Sequence, residues 1–121
     1  MTFTDICIIT NDVTLLAKFY MDILRVQCDI DSTHTFIVGP GLNIALYDKK
    51  AAINDGYDFM NAGRGYVYIG FDVDDVDAEY MRLKLLNVEL LSEPTLWSWG
   101  AKSFRFNDPD GNMIVFRSWP K

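Results

Sequence analysis

The chain has 121 residues, half of them apolar and 14% aromatic, which is enough material for one folded domain with a hydrophobic core. The 17 acidic residues outnumber the 11 basic ones and give a net charge of -6, which argues against nucleic-acid binding because that role needs clustered Lys and Arg. No apolar run approaches the roughly 20 residues of a membrane span, and the N-terminus lacks the pattern of a secretory signal. We therefore expect a cytoplasmic protein that binds neither nucleic acid nor a membrane.

The first part of the chain predicts one strand, one helix and three further strands. Residues 3–10 are rich in β-branched residues, as in a buried strand. Asp12 can cap a helix over 13–24, where apolar residues recur at helical spacing. The three further strands are predicted at 26–31, 35–38 and 42–47. His34, the single histidine of the chain, falls in the turn between the first two of these strands.

The second part of the chain repeats this order after a segment without clear periodicity. Residues 48–65 indicate a linker or flap, with at most one short helical turn. The elements predicted after it are strands at 66–73, 88–91, 102–107 and 112–117, and a helix at 76–86. Residues 10–13 match 73–76 at an offset of 63, which indicates an internal repeat. We therefore predict a single domain, residues 1–121, with module one at about 1–49, a linker at about 50–65 and module two at about 66–121.

The cysteine and histidine counts restrict the chemistry. Cys7 and Cys28 are not in a C-x-x-C motif and are too few for a disulfide framework, so we interpret them as reduced thiols. With His34 as its single histidine, one chain cannot build a site that needs two or three imidazole ligands.

Several motifs resemble those of the vicinal oxygen chelate superfamily, which includes glyoxalase I, bleomycin-resistance proteins, fosfomycin-resistance enzymes and extradiol dioxygenases. The C-terminal module is matched by Val-Asp-Asp-Val-Asp at 73–77, residues 83–88, Trp-Gly at 99–100 and Asn-Asp-Pro-Asp-Gly-Asn at 107–112. The helix of the N-terminal module is matched by Asn-Asp at 11–12, Phe-Tyr at 19–20 and Ile-Leu at 23–24. The resemblance implies an α+β fold of tandem βαβββ modules that form a half-barrel cleft, with the helices outside. It also implies a homodimer.

The resemblance further implies four metal-ligand positions, usually His on the first strand of each module and Glu on the last. Carried over through the motifs, these positions are Asp5, Ala45, Tyr68 and Val115. Only Asp5 is an ordinary metal ligand, since Ala and Val have no donor atoms and a neutral tyrosine is a poor donor. We therefore predict no metal and no cofactor, as in the metal-free members of the bleomycin-resistance type.

The side chains that alternate inward on these strands suggest a lining for a small molecule. The predicted ligand-binding residues are Asp5, Tyr47, Tyr68, Trp97, Trp99, Val115 and Arg117. Trp97 and Trp99 are interpreted as a stacking platform on an extended segment, or alternatively as packing at a sheet or dimer interface. Arg105 and Arg117 could pair with a ligand carboxylate, or could be ordinary surface arginines.

Three functions remain open at this point. The first is a metal-free binding protein that sequesters an aromatic or cationic small molecule such as an antibiotic. The second is an enzyme, either a metal-dependent lyase, isomerase or dioxygenase with ligands in another register, or a cofactor-free enzyme with Tyr68 and Asp5 as acid and base. The third is a regulatory or structural dimer with an emptied cleft.

Overall fold

Two mixed units of helices and strands make up the chain, Met1–Arg64 and Gly65–Lys121, and the computed structural model describes residues 1–57 and 67–120 of them. The first unit has β1 (Ile6–Thr10), α1 (Val13–Leu24), β2 (His34–Gly39), β3 (Leu42–Asp48) and α2 (Lys49–Asn54). The second has β4 (Tyr68–Asp72), α3 (Val76–Leu85), β5 (Glu89–Leu90), β6 (Thr95–Leu96), β7 (Lys102–Asn107) and β8 (Met113–Ser118). The predicted α+β class is confirmed, and the half-barrel cleft stays a prediction. None of the helices described is long and apolar enough to span a membrane.

Helix α1 forms as its sequence predicts. The Asp12 carboxylate accepts a hydrogen bond from the Leu15 amide at 3.0 Å and so caps the first turn. The helix ends at Arg25, which adopts a left-handed conformation with φ of 54°. Between these ends, Leu16 and Tyr20 are fully buried, so the apolar stripe of the helix faces the core of the first unit.

Sheet A, in the first unit, has the strand order β1-β3-β2. β1 runs parallel to β3, and β2 runs antiparallel to β3. Ile37 and Leu46 are fully buried on the face that packs against α1. The opposite face, which we call the distal face of sheet A, carries Cys7, Ile9, His34, Phe36, Val38, Asn43, Ala45 and Tyr47.

The prediction of a strand at 26–31 is wrong. Residues 26–30 have no regular secondary structure, although Val26 and Cys28 are half-buried in alternation with exposed neighbours. The polar backbone groups of Asp31 bind a side chain instead of a neighbouring strand, because its amide donates to Thr35 Oγ1 at 2.9 Å and its carbonyl accepts from the same hydroxyl at 2.6 Å. The first unit therefore follows the order β-α-β-β-α over its described residues.

The segment that was predicted to join the two modules is described only in part. Helix α2 occupies Lys49–Asn54, and the Asp48 carboxylate caps it by accepting a hydrogen bond from the Ala51 amide at 3.1 Å. Residues 58–65 of the predicted linker, and residue 66 of the strand predicted at 66–73, lie outside the described residues.

Sheet B, in the second unit, has the order β4-β8-β7-β5, with β6 also paired to β7. Helix α3 packs on one face, where Phe104, Phe106 and Phe116 are buried with ring centroids 4.9–5.8 Å apart. The distal face of sheet B, away from α3, carries Tyr68, Gly70, Asp72, Ser103, Arg105, Asn107, Met113, Val115 and Arg117. The strand predicted at 88–91 is reduced to Glu89–Leu90, and β6 was not predicted.

The turn between β7 and β8 is organised by a buried carboxylate. Asp108 is 2% exposed and accepts hydrogen bonds from the amides of Asp110 and Asn112 and from the Asn112 side chain, at 2.8–2.9 Å. Gly111 supplies the positive φ of 85° that the turn needs. These contacts fix Asn107 opposite Met113 and thereby set the register of the whole β7–β8 ladder.

Replacing this carboxylate should destabilise the second unit. We expect Asp108→Ala to lower the free energy of unfolding by about 2–3 kcal/mol, because three donors would lose a charged acceptor in a buried turn. Asp110→Ala, two residues away in the same turn and exposed, is the matched control and should change it by less than about 0.5 kcal/mol. Urea unfolding followed by circular dichroism measures both. Equal stabilities for the two variants would contradict the role given to Asp108.

Candidate functional site

The four positions that the resemblance assigns to metal ligands lie at matching places on the two sheets. Cys7 pairs with Ala45 in sheet A, and Gly70 pairs with Val115 in sheet B. Cys7 and Gly70 are 63 residues apart, as the internal repeat requires. Tyr68 lies on the distal face of sheet B opposite Met113, whereas Asp5, at the matching place of the repeat, lies just before β1 and outside the paired residues of sheet A.

The side chains at these positions do not fit a divalent metal ion. Ala45 and Val115 offer no lone pair, and both are buried, at 1% and 9% exposure. Asp5 is the one carboxylate of the four positions, and no group of three or more His, Cys, Asp or Glu side chains that could hold a metal occurs in residues 1–57 and 67–120. Imidazole and carboxylate sets of three or four are what zinc and similar ions require in proteins.

Asp72 and Arg117 form an ion pair across β4 and β8 on the distal face of sheet B. Arg117 Nε donates to Asp72 Oδ1 at 2.7 Å. This hydrogen bond lowers the pKa of the Asp72 carboxyl and raises the pKa of the Arg117 guanidinium, although both groups are partly exposed. The guanidinium carbon of Arg117 also lies 5.9 Å from the centre of the Trp119 ring, within range of a cation–π contact.

Gly70 lets two side chains of this face approach each other. A Cβ at Gly70 would lie 3.4 Å from a ring carbon of Tyr68 and 3.7 Å from Arg117 Nη2. The Tyr68 ring and the Arg117 guanidinium therefore lie over the backbone of Gly70 rather than beside a side chain. The two groups also interact directly, since Tyr68 contributes to the raised pKa of Arg117.

The three tryptophans of the chain gather at one end of sheet B. Trp97 Nε1 donates to Ser103 Oγ at 2.8 Å, and Ser103 stands opposite Arg117 in the β7–β8 ladder. The rings of Trp97 and Trp99 stack with centroids 5.2 Å apart and planes 6° apart. Trp119 adjoins the same cluster through Arg117.

These tryptophans stack because their segment is a turn, not the extended segment that was predicted. The Gly100 amide donates to the Trp97 carbonyl at 3.0 Å, and Gly100 has a φ of 98° that favours glycine. The turn folds Trp99 back onto Trp97 and leaves it 64% exposed. The Trp97 ring thus supports the Trp99 ring, and the Trp99 ring is the one that is exposed to solvent.

A second aromatic cluster lies on the distal face of sheet A. The Tyr47 ring stacks on the His34 ring at 4.7 Å and meets the Tyr57 ring edge-on at 5.8 Å. His34 in turn contacts the Phe36 ring at 4.6 Å. Sequence reasoning missed His34, Phe36 and Tyr57. The position of His34 could have been predicted from the turn Pro40-Gly41, because a β-hairpin with its turn at these two residues places residue 34 opposite Tyr47.

Two groups on the distal face of sheet A, Tyr47 and Cys7, have raised pKa values. The Tyr47 hydroxyl donates to Asp55 of the turn after α2, and this hydrogen bond raises the pKa of Tyr47 to about 12. Partial burial and the nearby charge of Asp5 raise the pKa of the Cys7 thiol. Cys7 therefore stays a neutral thiol at neutral pH, which disfavours it as a nucleophile. Cys28, the other cysteine, is likewise free.

The predicted ligand-binding residues fall into two groups. Tyr47 lies on the distal face of sheet A, and Asp5 lies just before β1 and accepts a hydrogen bond from Thr4 Oγ1 at 3.1 Å. The second unit holds the other five, which are Tyr68, Trp97, Trp99, Val115 and Arg117. These five surround one stretch of the distal face of sheet B, so this face is the candidate site that the described residues define best.

Comparison with known proteins places the fold. A family model described as "Glyoxalase/Bleomycin resistance protein/Dioxygenase superfamily" matches residues 2–116. Uncharacterized protein YetH of Bacillus subtilis (strain 168) is 30% identical over 79 residues, which are 65% of this chain and 59% of YetH. The chain thus matches less than two thirds of the length of that relative.

Solved structures agree with this family at low sequence identity. A glyoxalase/bleomycin resistance protein/dioxygenase from Nocardioides has a TM-score of 0.81 and 23% identity, covering 100% of this chain and 85% of its own. A lactoylglutathione lyase from Agrobacterium tumefaciens has a TM-score of 0.74 and 19% identity, covering 97% and 92%. At such identities the likeness shows the fold alone.

The hydrogen bond between Tyr47 and Asp55 predicts an unusual titration. We expect Tyr47 to ionise near pH 12, so that the stabilisation from this bond is complete below the ordinary tyrosine pKa of about 10 and is lost as pH rises through about 12. Asp55→Ala should move the pKa of Tyr47 back toward 10. Carbon-13 NMR of tyrosine Cζ measures it, with Asp110→Ala as a control that should change nothing. A Tyr47 that titrates with an ordinary pKa in the unmodified protein would refute the assignment.

Proposed function

The chain belongs to the glyoxalase/bleomycin resistance protein/dioxygenase superfamily, and from this premise we propose that it binds an aromatic small molecule, without a metal, on the distal face of sheet B. The observation that carries the proposal is the gathering of Trp97, Trp99 and Trp119 at one end of that face. Binding of this kind sequesters the ligand and needs no chemical step. This is the role that we propose for the chain, as a protein of the bleomycin-resistance type.

Exposed aromatic rings favour a planar ligand. Trp99 is 64% exposed, Tyr68 is 53% exposed and Trp119 is 50% exposed. Leaving this much aromatic surface in water is unfavourable, and grouped exposed apolar surface on a folded protein commonly marks a binding site. A flat ring laid on Trp99 would continue the stack that Trp97 begins, with little loss of side-chain freedom.

The groups around the ligand positions support binding more than catalysis. Three of the four positions given to metal ligands hold Ala45, Tyr68 and Val115. Cys7 is held as a thiol. Tyr47, with a pKa of about 12, keeps its proton at neutral pH and serves as a hydrogen-bond donor, not as a base.

The alternatives remain distinct proposals. A metal-dependent lyase, isomerase or dioxygenase would need donors beyond Asp5 at the expected positions, and a cofactor-free enzyme would rely on Tyr68 and Asp5. The aromatic-binding proposal also takes the protein to be a homodimer, as the resemblance implies, and to be cytoplasmic, as the two unpaired cysteines suggest. The proposal leaves open whether the ligand is an antibiotic and what charge the ligand carries.

Metal analysis separates the binding proposal from the metal-dependent alternative. We expect the purified 121-residue chain, loaded with Zn, Ni, Fe or Mn and then dialysed against metal-free buffer, to retain far less than one equivalent, because residues 1–57 and 67–120 contain no group of three or more side chains that could hold the ion. Inductively coupled plasma mass spectrometry measures the content, and a thermal-shift assay with each ion serves as the control for weak binding. Near-stoichiometric metal that raises Tm would overturn this part of the proposal.

Aromatic binding is tested with a neutral planar probe, 2-naphthalenemethanol. We expect it to shift the indole N–H signals of the three tryptophans in a proton–nitrogen NMR spectrum, with 1:1 stoichiometry. Trp99→Ala should weaken binding roughly two- to tenfold, which is the value of one aromatic stacking contact. Leu85→Ala, which removes an exposed apolar side chain from α3, should leave binding unchanged. Undiminished binding by a folded Trp97→Phe, Trp99→Ala double variant would overturn the stacking role.

A further inference from the structure

We infer that Val115 is the floor of an anion site in which Arg105 and Arg117 bind a carboxylate group of the ligand. The inference rests on the proposed function for the aromatic part of the ligand and adds its charge. It assigns the protein to aromatic carboxylates as a ligand class, rather than to aromatic cations or neutral rings.

The register of sheet B brings the two arginines together. Arg105 on β7 stands directly opposite Val115 on β8, and Arg117 lies two residues further along β8 on the same face. Such diagonal neighbours have Cβ atoms about 7 Å apart, so two long side chains can reach a common ligand group. Val115 between them is 9% exposed and apolar, so it offers a carboxylate neither a donor nor a competing charge.

Both guanidinium groups keep donors available. Arg117 uses Nε for Asp72 and also hydrogen-bonds the Tyr68 side chain, which leaves other N–H donors of its five, and its Nη2 lies above Gly70, the residue paired with Val115 on the other side. Arg105 is exposed, and its guanidinium makes no hydrogen bond or ion pair with the described parts of the chain. A guanidinium binds a carboxylate through paired N–H donors, which gives both affinity and orientation.

The charge around Val115 is opposite to that of a metal site. The resemblance assigns this position to a carboxylate ligand of a cation, whereas here an apolar residue lies between two cations. Asp72 pairs with Arg117, and Glu89, which stands opposite Asn107, is a diagonal neighbour of Arg105 on the side away from Arg117, so the carboxylates lie at the edges of the face and the two guanidinium groups lie nearest to Val115. A divalent cation over Val115 would face two like charges, whereas an anion there would face two opposite ones.

Ser103 joins the anion site to the tryptophans. Its hydroxyl accepts the Trp97 indole N–H at 2.8 Å, and its own proton is free to be donated toward the face shared with Arg117. Ser103 therefore stands between Trp97 and Arg117, while the exposed Trp119 ring borders Arg117 directly. An arylcarboxylate with its acid group close to its ring can place the acid at the arginines and the ring against Trp119.

The experiment compares three probes that share one ring and differ in charge. They are 2-naphthoate, 2-naphthalenemethanol and 2-naphthylmethylammonium, with acetate as a carboxylate without a ring. Binding to the full-length chain is followed by the indole N–H signals of the three tryptophans and the Nε–H signals of Arg105 and Arg117. We expect 2-naphthoate to bind about tenfold or more tightly than the alcohol, as for a charge-assisted hydrogen bond, and the ammonium to bind weakest.

The variants distinguish a role of Arg105 in binding the carboxylate from a general effect of the substitution on ligand binding. Arg105→Gln should remove most of the preference for 2-naphthoate while leaving affinity for the alcohol unchanged, and Arg105→Lys should restore part of that preference. Lys84→Gln on α3, which removes a cation near Tyr80, is the matched control and should keep the full preference. Circular dichroism and Tm verify that each variant is folded.

The outcomes distinguish the two proposals. The anion site is refuted, and aromatic binding stands, if the alcohol binds at the tryptophans but 2-naphthoate binds no more tightly than the alcohol. The same conclusion follows if 2-naphthoate binds more tightly than the alcohol by an equal factor in the unmodified protein and in Arg105→Gln. If none of the three ring-bearing probes shifts the indole signals while acetate shifts the Arg105 Nε–H signal, aromatic binding fails and the anion site stands. If neither carboxylate shifts the Arg105 signal, the anion site is refuted on its own.

Discussion

The pairing of β8 with β4 on one side and β7 on the other is the constraint on which the second unit depends. Since side chains alternate along a strand, this one ladder sends Ile114 and Phe116 into the core and leaves Val115 and Arg117 on the distal face. A shift of the register by a single residue would exchange the two sets. The buried Asp108 carboxylate, in the turn between β7 and β8, holds the register that keeps them apart.

The chemistry of the candidate site follows from what this face carries. Its members are aromatic rings, two guanidinium groups and the carboxylates of Asp72 and Glu89, with an apolar floor where a metal-binding relative would present a ligand. Arg117 is held in place by Asp72 and by the Trp119 ring, so it is ordered before a ligand arrives. Preorganisation of this kind reduces the entropy that binding costs. The membership of the chain in the superfamily therefore describes its fold, while the side chains on this face decide its use.

Much of the fold could be predicted from the sequence, because its signals are local. The capping residue Asp12, the helical spacing over 13–24 and the turn Asp-Pro-Asp-Gly at 108–111 each act within a few residues, and the structure confirms the helix and the turn. The strand predicted at 26–31 does not form, because this segment, despite its alternating pattern, pairs with no other strand among the described residues. The hydroxyl of Thr35 binds the Asp31 backbone where a strand partner would be needed.

The candidate site was harder to predict because its geometry depends on pairing between strands. Val115, Tyr68 and Arg117 were found through motif spacing and alternation, whereas the stacking of Trp97 on Trp99 required a turn that was read as an extended segment. His34 was placed in a loop, although the hairpin closed at Pro40-Gly41 brings it against Tyr47.

The division of β8 into two alternating sets has a consequence for how such a protein can diversify. Substitutions at the exposed Met113 and the partly exposed Arg117 alter what the surface recognises, while Ile114 and Phe116 continue to maintain the packed interior. Mutational drift in ligand preference can therefore proceed without the loss of thermodynamic stability that most core changes entail. A lineage built on this scaffold could acquire new specificities through a few exchanges on one side of a single strand.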